Sequence, residues 1–479
     1  MNQPPRTPHR RSFLRSGLVV GGGAFALAAM DGLAARAALA ELDTTTSTTP
    51  ETGGYGPLRD VTRTDPQTGF QQTLALPDGF DFSLFGLAGT TMDDGHRTPL
   101  GHDGMAAFPG PEGTVRLVRN HEERSAPTTA LPAGSPAQRY DSRGGGGTST
   151  IQLRLQADGT PRLERIWQSL SGTIVNCAGG PTPWGSWLSC EETTAGVESG
   201  WQRPHGYVFE VPAGAGSEVT PEPITAMGRF VHEAVALDPR SGIVYQTEDR
   251  DTAGFYRYIP QVPGNLAAGG RVQMLKVRDA WAYDTRSGQR RNRPMRVEWV
   301  DIDDPDPAEA ENNPQAVYDQ GIAKGAATFG RLEGCTWGHG AVYLVSTDGG
   351  DANEGQVWEF RPAGDAGGLL SLVYESPDRD VLSFPDNITV SPRRSLLLCE
   401  DTSRSGPALQ GLTRNGQVFP FCIDGDTEDE WAGATFSPDG SVLFVNLQGS
   451  TSGDPRDSDS YARPGRTLAI WGPWQDGIL

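Results

Sequence analysis

A chain of 479 residues with 62 glycines, 37 prolines and only 36% hydrophobic residues is turn-rich and fits an all-β fold better than a helical one. Its formal net charge of −20 argues against nucleic acid and against an anionic membrane surface as partners, and suits a protein that gathers several cations. An anionic substrate fits such a chain only where bound metals invert the local sign.

Residues 1–40 read as an export address rather than part of the fold. Arg10-Arg11-Ser12-Phe13-Leu14 is a twin-arginine pattern, a Gly/Ala-rich apolar run covers 18–30, and Ala38-Leu39-Ala40 offers a cleavage site. The run is short and dotted with glycine, which argues against a stable membrane anchor. Removing 1–40 takes away a net +4 and leaves −24. The expected partner is the twin-arginine export machinery, which carries folded proteins, and the expected destination is the periplasm or the medium. The Thr/Pro/Gly-rich stretch 41–70 reads as a flexible leader. The rest, 71–479, reads as one catalytic domain.

Residues 73–87 have the alternation of a first hairpin that turns at Pro77-Asp78-Gly79. One pattern then recurs at 103–122, 176–192, 233–249, 333–348, 387–401 and 433–448. Five copies open on a polar residue and the sixth on Gly433; each runs apolar, turns at Gly, Pro or Asp, and runs apolar again into acids or asparagine. In an antiparallel hairpin the first residue and the last lie side by side, so the polar groups share one end. Six hairpins set radially bring those ends around one axis. The pattern therefore predicts a six-bladed β-propeller with an insertion in the 250–330 region. Within that insertion 315–328 looks weakly helical, and the acidic run 301–306 is a solvated turn or a calcium loop. The apolar stretch 467–471 could pair with the first blade and close the ring.

The hairpin ends supply Asp103, Asn120, Glu122, Cys190, Glu191, Glu192, Glu233, Glu248, Asp249, Glu333, Asp348, Glu400, Asp401 and Asn446. So many acids at one channel mouth need cations to be stable. Hard oxygens in number suit Ca²⁺, and a thiolate among them suits a transition metal such as iron. Five cysteines, at 177, 190, 335, 399 and 422, leave at least one thiol unpaired in an exported protein. Cys177 and Cys190 flank one turn and either form a disulfide or leave Cys190 as a metal ligand. Arg331, two residues before Glu333, could hold an oxyanion or phosphate, or form an ordinary ion pair. Arg250 has a weaker case for the same role. His121 and His232 read as hydrogen-bond partners of ligands. No P-loop, nucleophile elbow or H-E-x-x-H helix is present, and neither Ser189 nor Thr247 has a neighbouring base. A metal-activated water or oxide is the economical nucleophile. A metal-dependent phosphomonoesterase leads. A calcium-dependent lactonase or esterase, needing no thiolate, and a non-enzymatic secreted binding propeller are the alternatives.

The motifs, in order, are HDGMAAFPGPEG (102–113), RNHE (119–122), NCAGGPTPWGSWLSCEE (176–192), GRFVHEA (228–234), TED with GFYRY (247–258), GRLEG (330–334), STDGG (346–350), FPDN (384–387), CED (399–401) and GATFSPDGSVLFVN (433–446). Together with the twin-arginine leader they resemble the PhoX-type alkaline phosphatases over nearly the whole mature chain. The resemblance implies an iron–calcium cluster of Fe³⁺ and Ca²⁺ at the channel mouth that hydrolyses phosphate esters outside the cytoplasm. It implies Cys190 as an iron ligand and Glu233, Glu248, Asp249, Glu333, Glu400, Asp401 and Asn446 as metal ligands. Asn120 and one of Glu191 and Glu192 are further candidates, and Arg331 is implied as a phosphate contact.

Overall fold

Apolar runs bounded by Gly, Pro and Asp turns become strands, and the chain is built almost wholly of them. The structure, a computed structural model, describes residues 52–156, 159–364, 366–402, 406–425, 427, 429–454 and 463–479. The export signal expected over 1–40 lies outside the described residues.

Three strands lead in: β1 (Leu58–Thr64), β2 (Gln71–Pro77) and β3 (Asp81–Phe85). Next come β4 (His102–Pro109), β5 (Thr114–His121), β6 (Gly146–Leu155) and β7 (Pro161–Thr173), an antiparallel sheet in that order. A second sheet holds β8 (Asn176–Pro181), β9 (Ser186–Glu191) and β10 (Val208–Pro212). The run continues through β11 (His232–Leu237), β12 (Val244–Glu248), β13 (Tyr256–Val262), β14 (Asn265–Val277) and β15 (Met295–Asp301). Then follow β16 (Leu332–Gly338), β17 (Ala341–Ser346), β18 (Gln356–Pro362) and β19 (Gly368–Glu375). The last strands are β20 (Pro385–Val390), β21 (Leu396–Glu400), β22 (Ala408–Leu412), β23 (Val418–Asp424), β24 (Trp431–Phe436), β25 (Val442–Leu447) and β26 (Arg466–Trp471).

Hydrogen bonding groups the described strands into five sheets rather than six separate blades. The reason is β15, which comes from the expected insertion. It pairs with β14 on one side and β19 on the other, and so fuses two four-stranded groups into a nine-stranded sheet. The insertion also carries the helix α1 (Ala316–Ile322), inside the segment expected to be helical. The opening strands of the six hairpins still pack in a closed cycle, β4 on β8, β8 on β11, β11 on β16, β16 on β20, β20 on β24 and β24 on β4. They enclose a common axis, and apolar clusters between neighbouring sheets hold them there.

Several expectations are corrected. Residues 73–87 are not a hairpin: β2 pairs with β1 and β23, whereas β3 pairs with β26. The turn at Pro77-Asp78-Gly79 hands the chain from one sheet to another, while Leu74, Leu76, Phe82 and Leu84 all bury in one cluster. Residues 58–64, read as part of a leader, form β1, and buried Tyr55 accepts a hydrogen bond from the Leu479 amide at 3.0 Å. The 467–471 run does close a sheet, with Thr467 opposite Phe85 and Trp471 opposite Asp81. All five cysteines are buried and unbridged, so no Cys177–Cys190 disulfide forms.

Candidate metal centre

Every hairpin slips register at the same place in its first strand. The slips lie between His102 and Met105, Asn176 and Gly179, His232 and Val235, Leu332 and Cys335, Pro385 and Ile388, and Ala432 and Thr435. A β-bulge of this kind re-aims a side chain. The first residues inside the six bulges are Asp103, Cys177, Glu233, Glu333, Asp386 and Gly433. Five of these carry groups able to bind a metal, and they meet. Asp103 with Glu122 and Cys177, Cys177 with Glu192 and Glu233, and Glu233 with Glu333 and Asp386 form triplets whose ligand atoms lie within 4.8 Å of one another. The sixth position has to be glycine: at Gly433, where φ is +62°, a Cβ would stand 2.4 Å from the Asp103 carbonyl oxygen.

The ends of the second strands follow an equally simple rule. At the exits Glu191-Glu192, Glu248-Asp249 and Glu400-Asp401, the first acid is tied to backbone and the second faces the axis. Glu191 accepts the Gly206 amide at 2.9 Å and the Ile174 amide at 3.1 Å, and pairs with His205 Nδ1 at 2.6 Å. Glu248 accepts the Gly254 amide at 2.9 Å and the Tyr256 hydroxyl at 2.8 Å. Glu400 accepts the Ser383 and Ala408 amides, each at 3.0 Å. Their neighbours Glu192, Asp249 and Asp401 line a cavity of about 120 Å³ with Glu122, Cys177, Glu333, Asp386 and Glu430. Arg124, Arg331, Gln448 and Thr451 complete the lining.

The structure therefore brings Glu233, Asp249, Glu333, Asp401 and Arg331 to this end of the axis. It sets Cys190, Glu191, Glu248, Glu400, Asn446 and Asn120 outside the lining. Cys190 points into the apolar cluster with Leu188, Val208 and Tyr256. Asn120 donates to the carbonyls of Cys177 at 2.9 Å and Ala178 at 2.7 Å, and Asn446 donates to the Asp103 carbonyl at 2.5 Å. Each asparagine thus holds the bulge of the next hairpin by its main chain. His121 bonds Ser149 Oγ at 2.8 Å and His232 bonds the Gly228 carbonyl at 3.0 Å, so neither imidazole touches a lining acid. Arg250 offers its carbonyl to the Arg331 amide at 2.8 Å and does not line the cavity.

Burial and mutual repulsion raise these acids. Burial, then the charge of Asp386, pushes Asp103 up to about 8. Burial, opposed by Arg124 and reinforced by Asp103, takes Glu122 up to about 8. Burial, then Asp401, takes Asp386 to about 7. Glu192, Glu233, Glu333 and Glu430 lie well above the usual carboxylate range for the same reasons. The Cys177 thiol is raised by burial and by Asp103 and Glu233, and its Sγ lies 3.2 Å from Glu233 Oε1. Glu233 Oε2 is buried without a hydrogen-bond partner, an orphan acceptor of the kind a cation satisfies. Seven or more oxygens with one thiol fit hard and borderline cations together. Arg331 is the main positive counterweight. Its Nε meets Asp249 Oδ1 at 3.0 Å and its Nη2 meets Asp249 Oδ2 at 3.2 Å and Glu333 Oε1 at 2.5 Å. It holds this pose from a strained φ of +36°.

Cys177, Asp386, Glu430, Arg124, Gln448 and Thr451 are the lining residues that sequence reasoning did not select. A signal for two of them existed. Aligning the hairpins on the bulge, one residue later than Asn176 and one earlier than Asn387, puts Cys177 and Asp386 in register with Asp103, Glu233 and Glu333.

A family model described as alkaline phosphatase PhoX matches residues 54–451. Among solved structures, PhoX of Pseudomonas fluorescens in complex with vanadate, a transition state analogue, matches with a TM-score of 0.65 at 18% identity, covering 89% of this chain and 99% of that one. A gluconolactonase of Xanthomonas campestris gives a TM-score of 0.36 at 11% identity over 87% of this chain and 95% of that one. A luciferin-regenerating enzyme gives 0.42 at 9% identity over 83% and 96%. No curated protein matches.

Proposed function

This chain belongs to the PhoX alkaline phosphatase family, a family of metal-dependent phosphatases, and from that premise we propose that it hydrolyses phosphate monoesters with iron and calcium ions held at the axial cavity. One observation carries the reading: five of six equivalent bulges present a metal donor to one space, and one of the five is a thiol. Cys177 is the soft donor that would favour iron, while Asp103, Glu122, Glu192, Glu233, Glu333 and Asp386 supply the hard oxygens that calcium needs. Bound cations would neutralise the carboxylates, polarise the phosphoryl oxygens and lower the pKa of an attacking oxygen.

The chain's own residues do the positioning. Arg331 projects a planar fork into the cavity, and Asp249 holds it bidentately so that little freedom is lost when an anion arrives. Stabilising the charge that spreads over phosphoryl oxygens is the main demand of the reaction. Gln448 donates to Asp103 at 3.0 Å and Glu122 at 2.6 Å, and fixes two of the donors relative to each other. Export by the twin-arginine route to the periplasm or the medium completes the proposal. Among the described residues no helix is long and apolar enough to cross a membrane.

The test is elemental analysis of protein purified from its export route, beside hydrolysis of a chromogenic phosphate monoester at alkaline pH. Iron with several calciums, and activity lost on chelation, is the expected result. Calcium alone without hydrolysis would sink the iron role of Cys177 and the phosphatase chemistry together.

A further inference from the structure

Two arginines reach this cavity, and only Arg331 has a role so far. Arg124 follows β5, and its backbone N–H donates a hydrogen bond to the Thr451 carbonyl at 2.6 Å. Its Nη2 bridges Glu122 and Glu192. Arg331 does the same on the other side, where it bridges Asp249 and Glu333. Glu192 and Asp249 line one cavity, so the pairs Arg124–Glu192 and Asp249–Arg331 face the same space. Asp401 lines the same cavity as both guanidiniums.

Arg124 is also the more available of the two. Its side chain is 45% exposed against 30% for Arg331, while the carboxylates that grip it are almost fully buried. Among the described residues its Nε and Nη1 make no hydrogen bond, so part of the fork remains free for an incoming group. A guanidinium fastened at one nitrogen and open at the others is preorganised for an oxyanion. An acid-rich cavity otherwise repels anions, and a second fixed cation changes that balance most for the more highly charged ligand.

We propose that Arg124 is a second phosphate-binding residue which, with Arg331, makes the cavity select dianionic phosphate monoesters over monoanionic diesters. The inference rests on the phosphatase reading above. It assigns Arg124 the phosphoryl oxygens that Arg331 does not reach.

Orthophosphate binding by calorimetry tests it on the metal-loaded protein, with metal content measured on the same samples. Arg124→Ala should weaken orthophosphate binding by about tenfold or more. Arg124→Lys should recover part of the loss, because the charge returns without the fork. The monoester-to-diester ratio of kcat/KM should fall in both variants, and metal content should hold. Unchanged orthophosphate affinity in Arg124→Ala would overturn the inference while leaving the phosphatase reading intact. Weaker binding that tracks lost metal would also overturn it, since Arg124 would then only be holding Glu122 and Glu192 in place. A wild-type protein that binds no orthophosphate would remove both readings at once.

Discussion

Two clusters of buried charge lie on either side of the short β9 exit, and they are built on opposite principles. Around Glu191 each charge has an opposite charge set against it, although His205 Nε2 makes no hydrogen bond. His205 sits between Glu191 at 2.6 Å and Asp141 at 3.6 Å, and main-chain amides of Gly206, Gln202 and Arg203 cap the carboxylates. Around Glu192, one residue on, six other acids crowd one cavity and two arginines serve them all. A buried charge that is fully answered holds structure together, whereas one left unanswered is costly to keep and marks a place built for something absent from the chain.

The sharpest way to break that contrast is to neutralise one member of each cluster. Glu333→Gln removes a donor from the axial cavity. It should lower kcat/KM on a phosphate monoester by about a thousandfold or more, with reduced metal content, while the metal-free variant melts no lower than the metal-free wild type. Glu191→Gln should do the reverse. Leaving His205 without its carboxylate should cost about 3–5 kcal/mol in denaturant unfolding, with metal content per folded molecule unchanged.

The pH response separates the clusters next. Asp103 and Glu122 near 8 and Asp386 near 7 lie above their unfolded values of about 4. A carboxyl raised in the folded state stabilises fully below its unfolded pKa and loses that contribution as pH rises through the folded one. Chelated protein should therefore lose melting temperature steadily between about pH 4 and pH 8. Metal-loaded protein should be spared that loss. His205 also has a raised value, about 9: burial lowers it, but the charges of Glu191 and Asp141 outweigh burial. Its contribution is full below about pH 6.5 and is lost as pH rises through about 9, with or without metal. A chelated protein whose melting temperature is flat from pH 4 to 8 would contradict the unanswered-charge reading.

The smallest expected effect sharpens the comparison at the thiols. Cys190→Ser places a hydroxyl in an apolar cluster and should cost about 1–3 kcal/mol without changing metal content. Cys177→Ser should lower iron content at nearly unchanged stability. Equal metal loss in the two variants would mean that the apolar side of β9 also reaches the metals.

The hairpin plan was legible because apolar alternation, turn residues and polar ends all repeat. Glu233, Asp249, Glu333, Asp401 and Arg331 stand at those ends, and the sequence alone brings them into consideration. What it could not resolve was parity. Strand side chains alternate, so Glu191 and Glu192, or Glu400 and Asp401, face opposite ways, and one step decides which reaches the axis. The bulges add one more residue to each first strand and reset the count, so the thiol set among the acids is Cys177 and not the strand-end Cys190. The five-sheet grouping was out of reach for another reason. β15 joins two blades through pairings distant in sequence, and neither its pattern nor its length announces a partner.

The pairing of β3 with β26 sets an order of events during synthesis. β24, β25 and β26 come late in the domain and β3, which pairs with β26, comes early, so this sheet is complete only once β26 has been made. Such long-range closure is slow compared with hairpin formation. Until then Gly433 has no seat against the Asp103 carbonyl, and the donor circle stands open on one side. A nascent or truncated chain would thus present its acids singly. Clipping a few residues after Pro464 would disarm a centre whose donors all lie elsewhere in the chain.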